Sequence, residues 1–351
     1  MSSCSAWAKF DNSTKIKKWV ALLLTVSGLA AAPLSVSAAN RVIDTSGTTF
    51  DTGGAYTSIT GTAALTITGS EVTYSGGNIS ININISDGFI GSTGIYASDH
   101  ANLILHSSTI TLLGNSAYGI LFRGDRATVS HVTISSTRAY ARGIQVENRG
   151  YIEIDNADVS STGLRGYGVA VNSSGTMIIR DSNITSQDRT MIIHNTGNDS
   201  ALIVATNVNL HSLIRGAVNI LYGGEIILNH VNVTVDSPTE AMLFINGNNS
   251  PAYLEVNGGT LSTNGGNLLS VGGTNDVNVS FDNADISGAG AISKNSSGTA
   301  TVNISGGSGI HGDVTNSDSG ALNVNLNNTT LTGDVTGSGS STLNINASNS
   351  V

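Results

Sequence analysis

Cysteine occurs once in this 351-residue chain, proline three times and lysine five times, and only 11% of the side chains are charged and 5% aromatic. Each scarcity excludes something. A lone Cys4 leaves no intrachain disulfide and no cysteine-built zinc site. Three prolines exclude a polyproline stalk, and glycine lacks the every-third-residue period of collagen. So little charge, against ~25% in ordinary globular domains, is unlike a layered enzyme domain. Disorder is excluded as well, because 39% of the residues are hydrophobic and many of these are β-branched. The longest apolar run, from Trp19 to Ala32, falls short of the ~20 residues that cross a bilayer as a helix. What is abundant is small: 42 glycines, with Ser, Thr and Asn making up about a third of the chain.

The start of the chain has the form of an export signal. Lys9, Lys15, Lys17 and Lys18 precede the apolar run, and Pro33 and the small residues Ser35-Val36-Ser37-Ala38-Ala39 follow it. A basic start, a short apolar core and an A-x-A-like end predict a signal peptide over residues 1–39, cleaved after Ala38 or Ala39. Removing it takes four of the 15 basic residues and one of the 24 acidic ones, so the net charge falls from −9 to near −12. The only cysteine leaves too.

From residue 65 onward a single pattern recurs: apolar, any residue, apolar, then four or five residues, then Ile, Val or Leu. It runs from Leu65-x-Ile67 and Ile83-x-Ile85 through Leu103-x-Leu105, Ile152-x-Ile154 and Val279-x-Phe281 to Leu343-x-Ile345, thirteen times in all. The one-residue gap puts both apolar side chains on one face of a strand. Gly, Asn, Asp and Ser between the runs suit tight bends. A unit of ~24 residues cannot bury its apolar face alone and must stack on its neighbours. The pattern predicts an all-β fold, a right-handed single-stranded parallel β-helix of about 12–13 rungs. At ~4.8 Å per rung it would be on the order of 60 Å long. Residues 40–64 are expected to cap it, and residues 65–351 to form the repeats. Small polar residues just before the terminal apolar position, among them Thr133, Asp158, Asn183, Asn207 and Asn232, predict a ladder of side-chain hydrogen bonds along the axis.

The leader, the Ser/Thr/Asn/Gly-rich repeats and the missing cysteines together resemble the passenger domain of bacterial autotransporters of the pertactin or AIDA-like kind. Ile310-His311-Gly312-Asp313-Val314 and Leu331-Thr332-Gly333-Asp334-Val335 resemble their late rungs. The resemblance implies an exported, surface-associated, adhesin-like protein at the cell surface or outer membrane, or secreted. Its partners would be host cells, extracellular matrix, glycans or neighbouring bacteria, and no nucleic acid. The family carries a C-terminal translocator barrel, whereas residues 282–351 contain no Phe, Tyr or Trp and the chain stops within a repeat. This departure implies a truncated product, with a nonfunctional remnant as the alternative and the periplasm as its place without a barrel.

Arg123-Gly124-Asp125, between two apolar stretches, is a candidate cell-attachment tripeptide on a turn. All ten arginines lie between Arg41 and Arg215, while residues 216–351 hold ten acids and Lys294 alone as a base. Arg138, Arg142, Arg149 and Arg165 are therefore candidates for an anionic-ligand surface, with Tyr118, Tyr140, Tyr151 and Tyr167 recurring nearby. The rival function is a pectin-lyase-like, polysaccharide-active enzyme, because the same architecture hosts such enzymes. Hydrolysis needs paired carboxylates, and Asp155, Asp158 and Asp181, or Asp282 and Asp285, could meet across rungs. The N-T-D, D-D and G-H-G signatures of that group are missing, and the seven histidines are scattered. No catalytic residue, cofactor or metal is expected.

Overall fold

A computed structural model describes residues 37–351, apart from residue 52 and residues 58–62, 84–92, 197–199 and 288–290. The expected export segment lies outside the described residues up to Val36. Ser37–Ala39, at its end, form a strand that pairs with Ala55–Thr57.

The described residues contain no helix and form a parallel β-solenoid. Three strands per coil feed three stacked sheets, here called faces A, B and C. Face A has eleven strands, and faces B and C have thirteen each. The chain runs from B to C to A and then steps up to the next coil. A two-stranded sheet, Gly309–His311 with Thr330–Thr332, takes over from face A near the C-terminal end. The repeat length on face C varies from 21 residues, between Val324 and Ile345, to 29, between Tyr74 and Leu103.

The interior follows from the period-2 pattern. On face C, Ala127 and Val129 stack on Leu103 and Leu105 below and on Ile152 and Ile154 above. Ile110, Ile134, Val159 and Ile184 form the matching column on face A. These side chains are buried in one continuous core. Each fully buried Ile or Leu contributes about 1.5–3 kcal/mol, so the stack is held by many equivalent increments.

The corner from C to A is set by one residue per coil in the left-handed conformation. Ser107, His131, Asn156, Asp181, Asn207, His230, Asn283 and Asn328 all have φ between 48° and 55°. Asn and Asp tolerate this region best among residues with a Cβ. The stacking secures it: the amide of Asn156 donates to the Arg180 carbonyl at 3.2 Å, and that of Asp181 to the Thr206 carbonyl at 3.1 Å. Every corner thus hands a hydrogen bond to the coil above.

The expected side-chain ladder is present from Asn183 to Thr260, with one change of member, and does not extend down to Thr133 and Asp158. Asn209 Nδ2 donates to Asn183 Oδ1 at 2.8 Å, Asn232 Nδ2 to Asn209 Oδ1 at 3.0 Å, and Thr260 Oγ1 to Asn232 Oδ1 at 2.8 Å. Asn209 takes the place expected for Asn207, which turns the corner two residues earlier. Further ladders join Asn303, Asn325 and Asn346, and Asn323 with Asn344.

Several expected registers are corrected, and on face C it is Ile203, two residues past Ala201, that pairs with Met177. Leu65 and Ile67 belong to face B, opposite Ile95 and Ala97, and Ile83 ends a face A strand opposite Leu112. Neither aligns with the Leu103 repeat, whose true partner below is Tyr74. At the other end Leu343 pairs with Leu322 and Ile345 with Val324, a shift of two residues. Inward apolar-x-apolar pairs occur on all three faces, so this spacing alone does not say which face a strand occupies.

Residues 41–57 already supply strands to all three faces. The interior of this coil is polar. Asp51 Oδ2 accepts from Arg41 Nη1, from Tyr56 and, at 3.2 Å, from Tyr74 Oη; Arg41 Nη1 also donates to Tyr56 Oη at 2.9 Å. This charge-assisted network covers the first purely apolar layers.

Candidate binding groove on face B

Face B departs from simple alternation. Its middle strands, Tyr118–Phe122, Arg142–Val146, Tyr167–Asn172 and Arg189–His194, are buried at nearly every position. Ile120, Phe122, Ile144 and Val146 point inward and join the core. Leu121, Gln145, Ala170, Ile192 and Asn219 point outward in one register column, yet none is more than 4% exposed. An outward column buried this deeply is the floor of a groove running along the solenoid axis.

One wall is built from the first residue of each strand. Tyr118, Arg142, Tyr167 and Arg189 occupy successive rungs in register. The Arg142 guanidinium lies 5.0 Å from the Tyr118 ring centre and 5.6 Å from that of Tyr167, and Arg189 lies 5.8 Å from Tyr167. Arg142 Nη1 donates to Tyr118 Oη at 2.8 Å and to Gln145 Oε1 at 2.9 Å. Stacking holds the guanidiniums upright on the wall. Glycine follows the wall residue in three of these rungs. A Cβ on Gly143 would lie 2.4 Å from the Gly168 carbonyl oxygen and 2.2 Å from Val159 Cγ1, so the close approach of the next coil requires glycine there.

The opposite wall carries Asn172, His194 and Leu221 in register. His194 packs edge-on to Tyr222 with ring centres 5.2 Å apart. Burial lowers the His194 pKa, and Arg142 and Arg189 lower it further. The part of the groove between Arg142, Tyr167, Arg189 and His194 encloses about 160 Å³. Beyond Arg189 it opens into a depression of about 310 Å³ bounded by Arg215, Glu240 and Phe244. Beneath Arg189 sits Asp188, 3% exposed, with Oδ1 3.6 Å from Arg215 Nε and no hydrogen bond. Burial raises its pKa, an effect partly offset by Arg189, Arg215 and Arg165.

Among the described residues four arginines make no ion pair, Arg138 and Arg165 at the corner from A to B and Arg142 and Arg189 in the groove. On face C, Arg126 and Arg180 share Glu153, at 2.8 and 3.8 Å. Arg123 is paired with Glu147 at 2.6 Å and Arg41 with Asp51.

The four arginines expected to form an anionic-ligand surface are spread over three places. Arg138 and Arg165 lie at the corner from A to B, Arg165 stacking on Tyr140 at 5.7 Å. Arg149 lies at the corner from B to C. Only Arg142 is in the groove, and its companion there is Arg189. A wall residue just before Gly-apolar recurs in Tyr118-Gly119, Arg142-Gly143 and Tyr167-Gly168, but Arg189 is followed by Thr190 and carries no such mark in the sequence.

Arg123-Gly124-Asp125 forms the corner from B to C, as a turn. Arg123 Nε donates to Glu147 Oε2 at 2.7 Å, and its guanidinium lies 5.8 Å from the Tyr96 ring centre. Asp125 is exposed, with its Oδ1 2.8 Å from His100 Nδ1. The tripeptide borders a depression of about 450 Å³ that Arg149 also lines. The carboxylates considered for hydrolysis lie at the other corner. Asp181 and Asp282 are exposed and accept from Asn207 and Ser305, at 3.1 and 2.7 Å, and Asp155 accepts from Asn156 at 3.1 Å. Among the described residues no cluster of three or more His, Cys, Asp or Glu is arranged to hold a metal ion. No family model, curated protein or solved structure matches the chain, so the groove stands on its own geometry.

Proposed function

We propose that this protein is an exported, autotransporter passenger-like adhesin that uses the solenoid as an extended binding surface on the outside of a bacterial cell. The observation that carries the reading is the face B groove, a recessed floor flanked by arginines without acidic partners on a chain of net charge −9. A net negative protein that keeps two stacked, unpaired guanidiniums in a groove is arranged for a ligand rather than for its own stability. The basic-then-apolar leader supports export, and the late Leu331-Thr332-Gly333-Asp334-Val335 rung supports the passenger-like reading. Host-cell glycans or matrix are its natural partners, and the exposed Asp125 of the RGD turn offers a second contact.

The test is display of the full chain, fused to a heterologous outer-membrane barrel, on a non-adherent bacterium. Display is expected to confer binding to epithelial cells or immobilised matrix. Efficient display without any gain in adhesion refutes the reading.

A further inference from the structure

We propose that the face B groove is a binding site for an acidic oligosaccharide lying along the solenoid axis, with acid groups on alternate sugars. This rests on the adhesin reading and assigns its ligand class and residues.

The spacing is the first argument. Arg142 and Arg189 flank Tyr167 from the rungs below and above, so their attachment points are two rungs, on the order of 10 Å, apart. A single carboxylate cannot bridge that distance. An extended glycan with an acidic unit at every second sugar presents its charges at a comparable interval, with a neutral sugar between them over Tyr167. The second argument is the mixture of surfaces. Ala170 and Ile192 line the floor, where at 3% and 4% exposed they offer a sugar ring only a small apolar contact. On the facing wall His194 offers a hydrogen bond to a hydroxyl, as does the Asn172 carbonyl oxygen, while Asn172 Nδ2 donates to the neighbouring Glu147 carboxylate at 3.2 Å. Each guanidinium keeps N–H groups that neither Tyr118 nor Tyr167 uses, and a carboxylate takes two such donors side by side. The third argument is continuity. Arg189 borders both depressions, so the groove extends past Asn219 towards Arg215 and the ring of Phe244. An oligomer is accommodated where a single sugar would use only part of the site.

The experiment uses the full chain and defined probes: a hyaluronan decasaccharide, which alternates carboxylated and neutral sugars, and neutral dextran of matched length, with heparin as a sulfated comparison. Calorimetry or glycan-array binding is expected to show hyaluronan bound and dextran not, with an affinity that falls as salt rises. Arg142→Gln and Arg189→Gln each cost about tenfold in affinity. Arg126→Gln, on face C, leaves affinity unchanged, and unchanged far-UV circular dichroism shows that all variants fold. Equal binding by the Arg142→Gln/Arg189→Gln double variant, equal retention of dextran, or retention of heparin alone overturns the proposal. Adhesion assays on displayed protein separate the two readings. Adhesion that survives the double variant keeps the adhesin reading and removes this site, whereas hyaluronan binding without adhesion does the reverse.

Discussion

Gly143→Ala adds one methyl group where the solenoid has no room for it. Its Cβ would sit 2.4 Å from the Gly168 carbonyl oxygen of the coil above and 2.2 Å from Val159 Cγ1. The Val159 contact can ease by a side-chain rotation. The carbonyl cannot, because Arg142 and Ile144 on either side are held in register with Tyr167 and Val169. The coils must therefore part locally, and overpacking of this kind costs about 1–3 kcal/mol. Alanine also stiffens the unfolded chain, returning about 0.4–1 kcal/mol. The net loss is about 1–2 kcal/mol. With a urea dependence on the order of 3 kcal/mol per molar, the midpoint drops by about 0.5 M. Hydrogen exchange adds a local readout, with faster exchange expected in Arg142–Val146 and Tyr167–Asn172 than in distant coils. A double-mutant cycle with Val159→Ala locates the strain. A coupling near zero means the carbonyl is the obstacle, and a coupling above about 1 kcal/mol means Val159 is. An unchanged or raised midpoint, the usual result for Gly→Ala in a strand with free space, would refute the close-approach argument.

Asn209→Ala removes a donor to Asn183 and an acceptor for Asn232; it is expected to lower stability by about 1 kcal/mol in urea melts, and no change would show that the ladder is ornamental. Asp188 retains its proton to higher pH in the folded than in the unfolded state, because burial raises its pKa. Native stability is therefore lost as pH rises from the ordinary carboxylate value through the raised one. Asp188→Asn should raise the midpoint at pH 7, a gain that disappears on acidification to below the carboxylate range; a gain that is the same at every pH would contradict this. Lys294 is 1% exposed, its ammonium donating to the Ser296 carbonyl, and burial lowers its pKa despite Asp318. Lys294→Met should be neutral or stabilising at pH 7, with any advantage shrinking as pH rises through the lowered pKa; a loss above about 2 kcal/mol would show that the charge is structural.

The solenoid is legible from the apolar-x-apolar runs because every rung repeats them. The face of each strand is less so. Val208 illustrates the reason: it is buried like Leu210, but it is the corner residue equivalent to Val132 and Ala157, while Leu210 is the partner of Ile184. Both point inward, so hydrophobicity does not separate them, and only the left-handed residue before the corner does. The groove was partly visible. Arg142 and the tyrosines stand out by composition, but the partnership of Arg142, Tyr167 and Arg189 is a matter of register across rungs. That Leu121 and Ile192 form a recessed floor also depends on the walls beside them and has no trace in period-2 reading.

The polar network of Arg41, Asp51, Tyr56 and Tyr74 has a consequence for how such a chain acquires its shape. Each coil contacts chiefly the ones about 25 residues before and after it, and its corner amides find their acceptors only when the next coil is laid down. A coil completed early and sealed on its interior by hydrogen bonds is a starting block on which later coils can be laid one at a time, in the order in which the chain emerges. Growth of this kind needs no search across distant sequence.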